Sequence, residues 1–255
     1  SNDDDEMLII PSLSSLFVEM EFSRKSEINP ECFFTIFSSK HSDFELGKQQ
    51  DAQEFVEYFI DDIKGKAHDL FEWTLLTKYN KLDDGQEISS KDETFVSIPL
   101  SVESGSMNES IKDFFTPQKL TGENLYQASN GMKIESIVTQ RIKVAPPVLI
   151  FQLKRFDYDK ATQNRLKINK KVEIPNTLSI KSYMLNPTEN DSYHYILNGV
   201  IVHAGNGSHG HYTSLIKEEI HSDNWLRYDD SSVSRIKTRD EFERLAFGDD
   251  SDVVD

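Results

Sequence analysis

Ile196-Leu197-Asn198-Gly199-Val200-Ile201-Val202-His203 runs into Ala204-Gly205-Asn206-Gly207-Ser208-His209-Gly210, and His211-Tyr212-Thr213-Ser214-Leu215-Ile216 runs back. Two apolar stretches joined by a glycine-rich connection read as a β-hairpin, since glycine allows positive φ and close approach of another backbone. His211 opens the return strand, where a rigid element holds it, as suits a general base. Read alone, a histidine at a loop edge is more often simply solvated. The next strand, Trp225-Leu226-Arg227-Tyr228-Asp229-Asp230, ends in two carboxylates. A carboxylate that accepts an imidazole N–H fixes the histidine tautomer. Asp229-Asp230-Ser231-Ser232 is equally an ordinary acidic turn. A histidine with an orienting aspartate is two thirds of a nucleophilic hydrolase, and it needs a Ser, Thr or Cys to activate.

Outward from the hairpin, residues 193–202, 212–217 and 225–228 are expected strands, and 238–247 a closing helix. Residues 183–192 are polar and loop-like. Pro146-Pro147 opens a continuous apolar run over 148–153, which reads as a buried strand. Residues 106–116 have a helical pattern with Ile111, Phe114 and Phe115, and residues 95–102 alternate apolar and polar as a strand does. Upstream of Phe71 the pattern is helical. The clearest helix covers 49–64, with Ala52, Phe55, Val56, Phe59, Ile60 and Ile63 at a period near 3.6. Residues 12–22 form an earlier helix with Leu13, Leu16, Phe17 and Met20 on one side. Residues 32–37 form a short buried one. Residues 1–6 are acidic and expected to be mobile. Helices first and strands later give an α+β fold class.

The chain has 255 residues, with 28 basic against 44 acidic and a net charge of −16. Nucleic acid and anionic membrane are therefore poor partners. A basic protein partner and a merely soluble acidic surface remain equal readings. Cys32 is the one cysteine, which leaves no disulfide within the chain and no cysteine-based zinc site. That fits a reducing intracellular compartment, cytoplasm or nucleus. No signal peptide precedes Met7, and no apolar run approaches about 18 residues, so no membrane span is expected. Ser1-Asn2 reads as a remnant of cloning, with the natural protein beginning elsewhere. No internal repeat is present.

The polar face of the helix at 49–64 carries Gln50, Gln53, Glu54 and Glu57, with Asp51 at its first turn. Acidic residues there are ordinary helix chemistry. They also suit a groove for an arginine-bearing peptide, because carboxylates take guanidinium in a bidentate fork.

Four segments in order then bear on each other. They are Gln49-Gln50-Asp51-Ala52-Gln53-Glu54-Phe55, Leu149-Ile150-Phe151-Gln152-Leu153-Lys154-Arg155-Phe156-Asp157-Tyr158-Asp159, the hairpin from Gly199 through Tyr212, and Trp225-Leu226-Arg227-Tyr228-Asp229-Asp230. Together they resemble the ubiquitin-specific protease family of deubiquitinating cysteine proteases, over roughly residues 10–247. The cysteine-free middle and the stretch from Tyr228 to Arg235 look closest to the herpesvirus-associated group.

The resemblance implies a papain-like right-hand architecture forming one catalytic domain. Residues 1–75 would be part of a helical thumb, 76–145 the β fingers and 146–255 the β-rich palm. It implies His211 as general base, Asp229 as its orienting residue and Asp230 as a supporting carboxylate. Asp51 and Glu54 would hold the arginine-containing tail of ubiquitin, and Phe156, His203 and Tyr212 would line the tail channel. The loop 204–210 would be mobile over that channel. The partners implied are ubiquitin and ubiquitinated proteins, with the chain a monomer. No cofactor is implied. No metal is implied either, since the finger cysteine pairs that hold zinc in many members are missing here.

One departure stands out. The family's nucleophile sits in a box resembling Gly-Asn-Thr-Cys-Tyr, and nothing like it occurs in this chain. The thumb is thus expected to lack its first helix, which carries that box. Cys32 is expected to be a small buried hydrophobe rather than a nucleophile. The chain reads as a deubiquitinase domain, hydrolysing the isopeptide bond after ubiquitin's C-terminal glycine, without its own nucleophile segment. The alternative is a catalytically dead ubiquitin-binding pseudoprotease or scaffold.

Overall fold

A computed structural model describes residues 2–45, 47, 50–63, 65–159, 164–189, 191–206 and 210–248. Gln49 and Lys64, residues 207–209 of the hairpin loop and the acidic end 249–255 lie outside the described residues. The chain divides into two compact units, residues 1–71 and 72–255.

The first unit is helical. Helix α1 runs Asn2–Phe22, α2 Glu31–Lys40 and α3 Ala52–Ile63. The helix begins at Asn2, so the acidic stretch 2–6 is helical. Ile9, Phe33, Phe37 and Phe44 form the buried cluster, with Leu13, Leu16, Phe34, Ile36, Phe55 and Phe59 packed on it. Phe17 and Met20 are exposed, although the sequence pattern placed them with Leu13 and Leu16. The apolar stripe of α1 is wider than the surface its own unit covers. Cys32 is a further correction. It lies on α2 but is exposed, because the buried positions of that helix are Phe33 and Phe37, four residues apart.

The second unit is mostly sheet. Trp73–Lys81 (β1) and Glu87–Phe95 (β2) pair antiparallel, and Ile98–Leu100 (β3) follows. Met107–Phe115 is α4, and Gln118–Leu120 (β4), Tyr126–Gln127 (β5), Lys133–Ile134 (β6) and Ser136–Val144 (β7) come next. One four-stranded sheet has the order β2-β1-β7-β4. Phe151–Leu153 (β8), Phe156–Asp159 (β9), Asn164–Lys167 (β10), Thr177–Ser179 (β11), His194–Ile196 (β12), Gly199–Gly205 (β13), Gly210–Lys217 (β14), Trp225–Asp229 (β15) and Ser232–Ile236 (β16) lead to α5, Arg239–Phe247. A second antiparallel sheet has the order β13-β14-β15-β16.

Three strand expectations need correction. Residues 95–102 are not one strand: the chain bends at Val96-Ser97, leaving β1 as a partner and joining β8 in parallel, with Ile98 opposite Phe151. The run 148–153 pairs only over Phe151–Leu153, and Val148 is exposed. Pro146 and Pro147 have no N–H to give a ladder, which delays pairing. Residues 193–202 break at Leu197-Asn198, where the partner changes from β11 to β14.

A single core joins the sheets. Trp73 and Leu75 of β1, Ile98 and Leu100 of β3, Ile111 of α4, Ile142 of β7, Leu215 of β14, Trp225 of β15 and Phe242 of α5 belong to one buried cluster. Helix α5 starts cleanly because the Thr238 hydroxyl accepts from the Glu241 amide at 3.1 Å, and the Glu241 carboxylate accepts from the Lys237 amide at 2.9 Å. Among the described residues, no helix is long and apolar enough to cross a membrane.

Candidate active site

Strand alternation puts the chemistry together. In β14, Leu215 is buried, so Thr213 and His211 share its face. Leu215 stands opposite Arg227 of β15 and Ser214 opposite Tyr228, so the same register carried one residue past that pair brings Asp229 level with Thr213. Asp229 is thus the diagonal neighbour of His211 on one face, the distance at which cross-strand side chains meet. The His211 Nε2 lies 2.7 Å from Asp229 Oδ1. A carboxylate can only accept, so Nε2 carries the proton and Nδ1 is left as the basic nitrogen.

Asp230 sits beside this pair. Its Oδ2 is 3.9 Å from His211 Nε2, too far for a hydrogen bond, and its side chain is 81% exposed against 34% for Asp229. Asp229 faces Ser232 across the β15–β16 turn, and Asp230 takes φ 49° at the turn's first position. Hairpins of this length need positive φ there, and Asp tolerates it better than most residues. Asp230 therefore shapes the turn that ends the Asp229 strand.

The sequence reading missed Arg227. Its Nη2 donates to Asp229 Oδ2 at 2.7 Å, so both oxygens of that carboxylate are engaged. The signal was present: residues two apart in a strand share a face. His211, Asp229 and Asp230 also bring ligand-type atoms within 4.8 Å of one another, a spacing that could take a cation. A cation would have to displace the 2.7 Å hydrogen bond already made at His211 Nε2 and sit beside a guanidinium.

Phe156, His203 and Tyr212 form one aromatic group. The His203 ring is 5.2 Å from Phe156 and 4.8 Å from Tyr212, centroid to centroid. They occupy the other face of the hairpin, since Tyr212 follows His211 in the strand. Lys167 of β10 donates to the carbonyls of His203 at 2.8 Å and Gly205 at 3.1 Å, tying the end of β13 to the β9–β10 hairpin. The His203 ring lies over Gly210. A methyl group on Gly210 would come 1.9 Å from His203 Nε2 and 2.5 Å from the Ala204 carbonyl oxygen. The ring could swing aside, but the backbone carbonyl could not. Gly210→Ala is expected to cost about 1–3 kcal/mol by overpacking, read as a lower denaturant midpoint. A variant as stable as the parent would mean the hairpin relaxes around the methyl group.

In the first unit, Asp51 caps α3. Its Oδ1 accepts from the backbone amides of Gln53 at 2.9 Å and Glu54 at 3.4 Å. Glu54 is exposed on the first turn. Cys32 stands at the solvent-facing side of α2.

Comparison with known proteins bears on all of this. The model of the family described as ubiquitin carboxyl-terminal hydrolase matches residues 1–251. Ubiquitin carboxyl-terminal hydrolase 15 of Schizosaccharomyces pombe is 30% identical over 253 residues, covering 95% of this chain and 22% of that protein. Ubiquitin carboxyl-terminal hydrolase 7 of Drosophila melanogaster is 28% identical over 214 residues, covering 80% and 19%. The chain thus spans about a fifth of the length of these relatives. A solved structure of the SAGA DUB module with Ubp8, Sgf11, Sus1 and Sgf73, bound to monoubiquitin, matches with a TM-score of 0.79 at 22% identity. That match covers 94% of this chain and 57% of the other. At that identity the likeness speaks for the fold, and it agrees with the α+β class read from the sequence.

Proposed function

The chain belongs to the ubiquitin carboxyl-terminal hydrolase family, and from that premise we propose that it is the larger part of a thiol-dependent deubiquitinase domain. The reaction is hydrolysis of the isopeptide bond after the C-terminal glycine of ubiquitin. The observation that carries this reading is the 2.7 Å contact between His211 Nε2 and Asp229 Oδ1. It leaves Nδ1 to take the proton from a thiol, so that the thiolate attacks the carbonyl, and then to return it to the leaving amine. Asp229 holds the tautomer that makes this direction of transfer work. Asp230 supports the turn. The thiol comes from a segment outside these 255 residues, because Cys32 is the chain's one cysteine and lies in no nucleophile box.

In this reading the helical unit is thumb, residues 76–145 are fingers and 146–255 palm. Ubiquitin and ubiquitinated proteins are the partners, in cytoplasm or nucleus, and a monomer suffices. Phe156, His203 and Tyr212 line the channel for the ubiquitin tail.

The test is turnover of a fluorogenic ubiquitin substrate. The 255-residue chain alone is expected to be inactive, and the longer protein active. Turnover by this chain that is lost in Cys32→Ala would make Cys32 the nucleophile. Inactivity of the longer protein, with ubiquitin still bound, would favour the binding scaffold.

Ubiquitin binding should outlast the missing thiol. Asp51 and Glu54 lie on one helical turn and would receive arginines of the ubiquitin tail as charge-assisted hydrogen bonds. Asp51→Asn with Glu54→Gln keeps the helix cap, since Asn caps as well as Asp. The pair should weaken ubiquitin binding by on the order of tenfold, because the sites stay partly wet. Titration calorimetry against ubiquitin, and against ubiquitin lacking its tail arginines, reads this. Equal affinity for the two ligands would assign both residues to helix chemistry alone.

A further inference from the structure

We propose that Arg227 is a positioning residue of this site: it holds Asp229 so that the carboxylate presents Oδ1 to His211. The proposal rests on the reading of His211 and Asp229 as general base and orienter. Three observations carry it. First, the carboxylate is shared one oxygen each, Oδ1 to His211 Nε2 and Oδ2 to Arg227 Nη2, both at 2.7 Å. The Asp229 side chain is 34% exposed, so packing alone does not fix its rotation. Two donors on opposite oxygens do.

Second, the Arg227 side chain is 37% exposed, yet its inner end carries a cost. Arg227 stands between Leu215 of β14 and Ser234 of β16, on the same face as buried Trp225. Its Nε is buried and has no hydrogen-bond partner among the described residues. A buried N–H left unpaired is an uncompensated desolvation cost. An aliphatic side chain would avoid that cost, so what the arginine contributes lies at its other end, on Asp229.

Third, the geometry is built into one strand. Arg227 and Asp229 are two residues apart in β15, so alternation brings both to one face without any tertiary adjustment. The guanidinium's hydrogen bond is to the Asp229 carboxylate, so its effect on His211 would pass through that carboxylate.

Two readouts test this, one of which needs no activity. In the 255-residue chain, nitrogen-correlated NMR of the imidazole should show His211 as the Nε2–H tautomer, with the Nε2–H protected from solvent exchange. Arg227→Met should give mixed tautomers and Nε2–H exchange at least about tenfold faster. Arg227→Lys should keep the parent spectrum, since Nζ can still donate to Oδ2. Asp229→Ala should look like Arg227→Met, and the double variant no worse than Asp229→Ala alone. A parent-like imidazole in Arg227→Met would overturn the proposal, and so would full additivity in the double variant.

The second readout is kinetic, in the longer protein. Arg227→Met should lower kcat about tenfold or more with KM unchanged, as a misplaced group does, and the effect should vanish in the Asp229→Ala background. Turnover that survives His211→Ala would sink the reading of the site, while the imidazole spectra would still decide Arg227. Activity lost with His211→Ala but unchanged in Arg227→Met, beside an unchanged spectrum, would sink only the Arg227 proposal.

Discussion

His211→Ala in the longer protein is expected to lower kcat/KM for a ubiquitin substrate by at least about 10³-fold, because in the proposed reaction general base and general acid would vanish together. The variant should still bind ubiquitin with parent affinity, since in the proposed reaction the imidazole would act on the thiol and the leaving amine and not on the body of the substrate. Asp229→Ala should cost less, on the order of 10²-fold, because an unoriented imidazole still visits the productive tautomer. Asp230→Ala should cost least. Its carboxylate is 3.9 Å from Nε2 and largely in water, where a charge does little. Asp230→Gly keeps the positive φ of the turn and should be close to the parent. Single-turnover assays with the three variants give the order His211, Asp229, Asp230. An Asp230 effect as large as that of Asp229 would mean that the imidazole leaves Asp229 for Asp230 during the reaction, and the roles would have to be exchanged.

The hairpin and the strand after it were legible because their cues are local. Glycines mark the connection, apolar runs mark both arms, and the spacing to Trp225–Asp229 fixes the next strand. The α3 helix was legible for the same reason, its apolar period being visible without any neighbour. What the sequence hid depends on partners distant in the chain. Strand β2, Glu-Ile-Ser-Ser-Lys-Asp-Glu-Thr-Phe at 87–95, has no apolar alternation, and it is a strand because β1 supplies its ladder. Strand β16, Ser-Val-Ser-Arg-Ile, is recruited by β15 in the same way. Cys32 looked buried because its neighbours are phenylalanines, yet helix rotation turns Phe33 and Phe37 inward and Cys32 outward. Asp51 could be read as a ligand for arginine or as a cap, and the contacts to the Gln53 and Glu54 amides give it a cap's duty at the least. Arg227 was within reach of strand parity but was passed over, since a charged residue in a half-exposed strand is unremarkable until its partner is known.

Asp62 was the least legible residue of all, and it carries the largest expected effect on stability. The helical pattern of α3 names Phe59, Ile60 and Ile63 as inward, and Asp62 between them looks like a solvated charge. It is buried, with its side chain only 5% exposed. Its Oδ1 accepts from Lys40 Nζ at 2.6 Å and its Oδ2 from His41 Nε2 at 2.7 Å. The His41 ring lies 4.7 Å from both Phe37 and Tyr58, so two aromatic rings flank the histidine that holds the carboxylate. The end of α2 is thereby tied to the end of α3 through one buried acid. A buried pair is a weak source of net stability compared with an apolar replacement, but removing one partner is costly because the other stays behind uncompensated. Asp62→Ala should destabilise the helical unit by about 3–5 kcal/mol, toward the lower figure because Lys40 can turn its ammonium to water. Asp62→Asn keeps an acceptor for one donor and loses the charge for both, so it should fall between. Both tryptophans lie in the second unit, so indole fluorescence would miss the transition. Amide exchange along α2 and α3 reads it directly: protection should drop in Asp62→Ala and less in Asp62→Asn, with the sheet amides of residues 199–217 unchanged. Protection within about 0.5 kcal/mol of the parent in both variants, the range of an ordinary surface substitution, would mean that the phenylalanine cluster alone holds α2 on α3.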